Sequence, residues 1–471
     1  MNLQKLLLKQ FFSVGAYKYL GELIFFLSSV VISRLLLPEE FGLIAMATIF
    51  YSFLAQFTDM GVSESVVREA GDEKFYQNIQ NLYLLIGLIA GGAMAVLAYP
   101  ISLFFEQETL FPVGLTYGGI LFLYAFPKAM VAYLRKEEKL VLISKIELAC
   151  VVFHVLCSIF LAWAGFSYWS LVLPHLVLPI FYYFLYRRYV KIAFLKFSVS
   201  SIADAWQKVK SLVYAFSTLN FIQYWEKAID NLWVGKFYGE TGLGLYNRAY
   251  MLMSMPVNVI RGHINTVMYP VIVNKSLTKQ EIKTEMIHFI KLISAVLSFP
   301  AIVFILFPNR LSVFLWGENW NGVGEYLGIL SIALLLLGFT QLSNSLYVIL
   351  RKEKVWLING IISGIVVMAL ISVGVMFSIN AMIYGYLAAL LFVSLPLTFY
   401  LGYYRSFSFS LREIVSVAGY NYVGAITFFI LKLMALDALL IYPAVFVAGV
   451  SLLRVIGYVK FLNAEKNIVN E

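Results

Sequence analysis

The chain of 471 residues is 61% hydrophobic and only 13% charged, with a formal net charge of +9 and a mean hydropathy of +0.83. Soluble domains carry roughly 45–50% apolar and about 25% charged residues, so an ordinary soluble protein and a disordered chain are excluded. Nucleic acid is also excluded as a partner, because the Lys and Arg residues stand in short clusters between apolar runs instead of forming one basic stripe.

A hydrocarbon core about 30 Å thick is crossed by roughly 20 apolar helical residues, and at that length the chain is predicted to form about 14 transmembrane helices. In chain order the expected spans are 11–37, 42–66, 79–104, 111–134, 141–164, 169–190, 211–237, 245–272, 284–307, 322–350, 355–377, 380–402, 411–433 and 436–459. The first follows Lys5 and Lys9, as the apolar part of a secretion signal would. It is too long for one, contains Lys18 and Glu22, and lacks a small-x-small cleavage site. Cys150 and Cys157 share one span, about 10 Å apart along a helix, too far for a disulfide.

Lys and Arg collect on the cytoplasmic side of membrane proteins. With the N-terminus inside, 26 of the 35 fall on inner loops, from Lys5 and Lys9 through the cluster Arg187 to Lys210 to Arg454, Lys460 and Lys466. Only Arg34, Lys236, Arg310 and Lys432 fall near outer ends. Both termini are therefore expected to be cytoplasmic. Every outer loop is short, the longest being 309–321, which leaves no sizeable external loop to carry the catalytic groups of a sugar polymerase or ligase.

Three features of the first 200 residues recur in order in the next 200. The outer turn from Arg34 to Leu43 matches Lys236 to Leu245, an offset of 202; Tyr99-Pro100 matches Phe307-Pro308, an offset of 208; and the inner turn at Leu134-Arg135 matches Leu350-Arg351, an offset of 216. Six spans per copy keep both copies in one orientation, so the pseudo-twofold axis runs along the membrane normal. The expected fold is an all-α integral membrane protein: a six-helix bundle in 1–200, a second in 201–405, and two additional transmembrane helices in 406–471, with a cleft between facing bundles.

An ionisable side chain at the bilayer centre costs at least about 2.5–3.5 kcal/mol, and those that persist usually face a bundle interior or a watery cavity. Lys18 and Glu22 share a face of the first span at i, i+4. In the seventh, Asn220, Gln223, Lys227 and Asp230 form a polar stripe with Glu226 beside it, and in the eighth Arg248 and Arg261 bracket Pro256. Asp59, Glu64 and Lys128 add to the set. One reading is that Lys18–Glu22 and Lys227–Asp230 or Lys227–Glu226 only neutralise each other and that Arg248 snorkels to the interface. The other is a cationic cavity for an anionic cargo, with Lys18, Lys227, Arg248 and Arg261 binding diphosphate oxygens by charge-assisted hydrogen bonds. Glu22, Asp59 and Asp230 are then candidates for coupling to an ion gradient.

No phosphate-binding Gly-x-x-x-x-Gly-Lys-Ser/Thr loop, His-Glu-x-x-His pair or Gly-x-Ser-x-Gly elbow occurs. His154, His175, His263 and His288 show no ligand spacing. No cofactor, metal or catalytic residue is expected, and the protein is not expected to be an enzyme.

The stretch Ser33-Arg-Leu-Leu-Leu-Pro-Glu-Glu-Phe-Gly-Leu43 with Asp59-Met-Gly-Val-Ser63 resembles the start of bacterial polysaccharide flippases of the multidrug/oligosaccharidyl-lipid/polysaccharide superfamily. Asp230-Asn-Leu-Trp-Val-Gly235 and Leu243-Gly-Leu-Tyr-Asn-Arg-Ala-Tyr250 resemble the start of their second half. The likeness covers roughly 10–400, and the matching positions are Arg34, Pro38, Gly42, Asp59, Asp230, Gly244, Arg248 and Tyr250, several of them at turns. The resemblance implies a Wzx-type translocase in the bacterial inner membrane that flips undecaprenyl-diphosphate-linked oligosaccharide for O-antigen, capsule or exopolysaccharide. Membrane lipid is its surroundings, and polysaccharide polymerase and chain-length proteins are the candidate protein partners. Fourteen spans depart from the 12 of many relatives. The rival readings are a cation-coupled multidrug exporter, a peptidoglycan-precursor flippase and a membrane glycosyl polymerase.

Overall fold

In lipid every backbone N–H and C=O must be satisfied within its own segment, so uninterrupted apolar runs become helices. A computed structural model describes residues 3–59, 61–68, 73–190, 192, 199–263 and 279–470, and among them there is no β-strand. Eleven helices there are long and apolar enough to cross a membrane, and each overlaps an expected span.

The other three expected spans differ for local reasons. Span 42–66 is two helices, neither of which qualifies alone, because the polar run Thr58-Asp59 breaks the chain between them. Spans 211–237 and 245–272 both lie in one long helix, Val199–His263, bent at Gly239, whose φ of 68° and ψ of −169° are not helical. The end of the second, residues 264–272, is outside the described residues.

The chain forms two compact units, Met1–Gly244 and Leu245–Glu471. The first holds α1 (Leu3–Leu35), α2 (Pro38–Gln56), α3 (Val62–Arg68), α4 (Glu73–Phe105), α5 (Leu110–Leu123), α6 (Ala125–Lys136), α7 (Leu140–Trp163), α8 (Trp169–Arg187) and the first part of α9 (Val199–His263). Beside apolar residues such as Ile79 and Met94, α4 buries Asn78, Gln80 and Asn81 while leaving Leu88 58% and Val96 75% exposed, as an acyl-chain solvent allows. Helices α4 and α5 close on small residues at four-residue spacing. A Cβ on Gly91 would stand 2.5 Å from the Gly118 carbonyl oxygen, and one on Gly118 would stand 2.7 Å from that of Gly91, the close backbone approach that substitutes for a hydrophobic driving force in lipid.

The two turns matched in the sequence repeat at an offset of 202 meet inside this unit. A Cβ on Gly42 would fall 1.7 Å from the Glu240 carbonyl oxygen, and one on Gly244 would fall 2.0 Å from that of Pro38. Residues 38 and 42 become 240 and 244 at the offset of 202, so the contact is reciprocal, as a twofold relation between equivalent turns produces. Polar bonds gather beside it: Gln107 Nε2 donates to Glu240 at 2.8 Å, Lys236 pairs with Glu106 at 2.8 Å, and the Ser167 hydroxyl bonds Glu40.

The second unit continues α9 and adds α10 (Lys279–Leu306), α11 (Pro308–Trp316), α12 (Val323–Leu330), α13 (Leu334–Ile349), α14 (Glu353–Gly374), α15 (Ile379–Ala389), α16 (Leu411–Leu433) and α17 (Ile441–Asn470). The segment expected as the longest outer loop, 309–321, is instead mostly helical: α11 starts on Pro308 and a 3₁₀ turn covers Glu318–Trp320. Proline at the first helical position nucleates this piece, and burial of Trp316 and Trp320 holds it down. The matched inner turns share a geometry, with left-handed Glu138 (φ 53°) and Arg351 (φ 54°), each followed by a residue bonding five back, Lys139 to Leu134 and Lys352 to Tyr347. Their structural offset is therefore 213, not 216. In the first copy Arg135 and Lys136 precede the turn residue and Lys139 follows it; in the second Arg351 is the turn residue and Lys352 and Lys354 follow.

The two C-terminal helices dock on α10. Ser410 and Glu413 form a capping box that starts α16, Lys283 pairs with Glu413 at 2.8 Å, and Asn421 donates to Ser298 at 3.0 Å.

Candidate functional site

At the break between α2 and α3 the Asp59 carboxylate caps the new helix. Its Oδ1 accepts from the Ser63 backbone N–H at 3.2 Å and from the Ser63 hydroxyl at 2.8 Å, satisfying donors that a helix start leaves open. From α4 the buried Tyr83 hydroxyl donates to the same oxygen at 2.8 Å. From α6, Lys128 donates to Thr58 and stands 5.9 Å from the Tyr83 ring centroid. Two helices, α3 and α4, thus donate to one carboxylate, and an ammonium from α6 bonds the adjacent residue. The Ser63 and Tyr83 donors satisfy lone pairs of this carboxylate that lipid would leave unmet. Sequence reasoning singled out Asp59 and Lys128 but missed Tyr83; the signal was the polar run Gln77-Asn78-Ile-Gln80-Asn81 leading up to it.

The remaining expected residues of the first unit take separate positions. Lys18 and Glu22 are both exposed on α1, and no ion pair joins them among the described residues. Lys18 instead lies in electrostatic reach of Glu147 on α7, where Lys145 also sits 5.9 Å from the Tyr17 ring. On α9, Lys227 is exposed and Asp230 buried, with Asp230 Oδ1 accepting from the Asn231 N–H at 2.7 Å. The Asn220, Gln223 and Glu226 side chains of the expected stripe lie outside the described residues. Near that stripe Tyr224 bonds the Ile49 carbonyl and packs with Phe53 at 5.5 Å, which fixes α9 against α2.

In the second unit the two arginines diverge. Arg248 is only 7% exposed; its guanidinium carbon is 5.4 Å from the Trp320 ring centroid and 6.0 Å from that of Trp316, with Nη1 at 3.5 Å from the Met251 sulfur. Desolvated cation–π contacts are worth about 2 kcal/mol or more. The Trp pair is what the sequence reading missed, since it took their segment for a loop. Arg261 is exposed, and its Nε donates to Gln341 Oε1 on α13 at 2.8 Å. Among the described residues this is its one hydrogen bond; it orients the guanidinium and leaves the paired terminal N–H groups for a bidentate anion.

A family model described as polysaccharide biosynthesis protein matches residues 31–325. The chain belongs to this family. An uncharacterized membrane protein in the cps region of Klebsiella pneumoniae is 24% identical over 324 residues, 65% of this chain and 64% of the relative. The teichuronic acid biosynthesis protein TuaB of Bacillus subtilis (strain 168) is 26% identical over 290 residues, 58% of this chain and 57% of the relative. The chain thus spans less than two thirds of these curated relatives' length. Among solved structures, the lipid II flippase MurJ in an inward closed conformation matches with a TM-score of 0.69 at 13% identity, covering 95% of this chain and 99% of the other. An inward-facing multidrug resistance MATE family transporter of the MOP superfamily matches with a TM-score of 0.61 at 14% identity, covering 89% and 95%. At such identities the likeness establishes the fold: this member of the polysaccharide biosynthesis family is a multi-pass membrane protein with the helical architecture of that superfamily.

Proposed function

We propose that the protein is a flippase translocating undecaprenyl-diphosphate-linked oligosaccharide repeat units across the bacterial inner membrane by alternating access, driven by an ion gradient, with both termini cytoplasmic and no catalytic chemistry. The observation that carries this reading is the retention of exposed basic side chains, Lys18, Lys227 and Arg261, on apolar helices of a chain in the polysaccharide biosynthesis family. A cation in such a position is tolerated when it serves an anionic cargo. The name of the Klebsiella relative places it in a cps region and that of TuaB in teichuronic acid biosynthesis, and both support a polysaccharide precursor as cargo.

In this reading Lys18, Lys227 and Arg261 contact the diphosphate. Arg248, expected from the sequence to do the same, is engaged by Trp316 and Trp320, so we assign it the task of anchoring α9 in the second unit. Asp59, with Ser63, Tyr83 and Lys128 around it, is the preferred coupling group over Glu22 and Asp230, because it has both a carboxylate and proton donors in direct contact. The division of the chain into 1–200, 201–405 and 406–471 belongs to the same proposal, as two duplicated bundles and an added pair. Polymerase and chain-length proteins would receive the flipped unit.

Lys227→Ala and Arg261→Ala are expected to lower delivery of surface polysaccharide at least about tenfold, the effect of losing 1.4 kcal/mol or more of cargo binding, without loss of the protein from the membrane. Wild-type delivery by both variants would refute the assignment. Efflux of cationic dyes would favour a multidrug exporter, and rescue of cells depleted of peptidoglycan-precursor export would favour that cargo.

A further inference from the structure

The second unit carries a cavity that the transport reading does not use. It encloses about 250 Å³ and is lined by His288, Lys291 and Leu292 of α10 and Arg454, Gly457 and Tyr458 of α17. Its described lining residues include two basic side chains and no carboxylate. Lys291 and Arg454 act on each other electrostatically, an arrangement that is unfavourable between membrane helices unless an anion sits with them.

The same unit neutralises other basic residues. Lys283, two turns earlier on α10, pairs with Glu413 at 2.8 Å, and Lys432 pairs with Asp437 at 2.9 Å. Lys291 makes no side-chain hydrogen bond or ion pair with any described residue. Arg454, in contrast, is fixed in place: Nη1 donates to the Val417 carbonyl at 2.7 Å, Nη2 bonds that of Ser416, and the guanidinium lies 4.1 Å from the Tyr420 ring centroid. One cation is preorganised and the other is free to close on a ligand. Around the cavity α17 exposes Leu453 and Ile456, a surface suited to acyl chains. A pocket with basic lining between transmembrane helices is the chemistry that holds phospholipid headgroups.

The geometry points to a binding site for the phosphate of an anionic phospholipid, with Lys291 and Arg454 as its contacts and the acyl chains lying along α17. The site is independent of the flippase reading, since it shares no residue with the proposed cargo contacts. It also gives the C-terminal helix pair a task, because α17 supplies half of the wall.

The test uses the full chain, delipidated in detergent and titrated with phosphatidylglycerol, phosphatidylcholine or inorganic phosphate, with bound lipid read by native mass spectrometry and stability by the melting temperature. Phosphatidylglycerol is expected to be retained and to raise the melting temperature, while phosphatidylcholine and inorganic phosphate do neither. Lys291→Gln should weaken retention about fivefold, the worth of one basic residue at a lipid surface, and Lys291→Glu should abolish it. Both are expected to fold, since the ammonium bonds no described residue, and Arg454→Lys, which keeps the charge, should retain the lipid. Equal retention of phosphatidylcholine, or phosphatidylglycerol retained by Lys291→Glu as by wild type, would overturn the site. An equal response to inorganic phosphate would overturn its assignment to a lipid.

Discussion

Asp59 shows how a carboxylate persists in a membrane segment: it lies between two helices, caps the second, and collects donors from Ser63 and Tyr83 while Lys128 bonds the neighbouring Thr58. If it only capped α3, Asp59→Asn would be nearly silent, because Asn is an equally good cap. If it couples transport, the charge is indispensable. We expect Asp59→Asn to cut polysaccharide delivery at least about tenfold at normal membrane levels of the protein, and normal delivery would reduce Asp59 to a cap. Tyr83→Phe removes one hydrogen bond to a charged acceptor, worth about 1.5–3 kcal/mol, and should lower the melting temperature of the purified protein.

At the scale of elements, the first unit is held at one end by two turns in reciprocal backbone contact. Neither Gly42 nor Gly244 has room for a methyl group, with partner backbone at 1.7 and 2.0 Å. Overpacking of this kind costs about 1–3 kcal/mol, and the obstructing atoms are backbone, which cannot swing aside. Gly42→Ala and Gly244→Ala should therefore each lower the melting temperature. Gly92→Ala on α4, where nothing lies within 4 Å, should be neutral or slightly stabilising. The adjoining Lys236–Glu106 pair adds a pH dependence. Hydrogen bonding to Lys236, and then its charge, hold the Glu106 carboxyl below its ordinary value of 4.5. A carboxylate with a lowered folded pKa stabilises the protein above its unfolded value, and that contribution is lost as pH falls through the folded one. Acidification below about pH 4.5 should thus weaken this end slightly, the pair being exposed. Melting curves of wild type and Lys236→Ala should converge in acid, and a constant separation would show that the pair contributes nothing.

At the scale of the whole molecule, the charge pattern predicts a topology that reporter fusions can read. Fusions at both termini and after Lys210 should report the cytoplasm, and fusions at Ser167 and Asn321 the outside; the reverse would invert the inner-leaflet loading that the flippase reading needs.

Much of this was legible along the chain. Apolar runs of about 20 residues determined the helices, because lipid leaves a backbone no other way to satisfy its polar groups, and the offset of 202 already linked the two outer turns. Asp59, Lys128, Lys227 and Arg261 stood out because charge in such runs is expensive. Only the tertiary structure decided what those charges touch. Tyr83 reaches Asp59 from 24 residues away, the Trp316–Trp320 pair takes up Arg248 from a segment that reads as a loop, and Lys291 meets Arg454 across 163 positions of sequence. Helix formation depends on neighbours within four residues, whereas the partner of a buried charge is set by which helix faces pack together, and that packing has no local signature in the sequence.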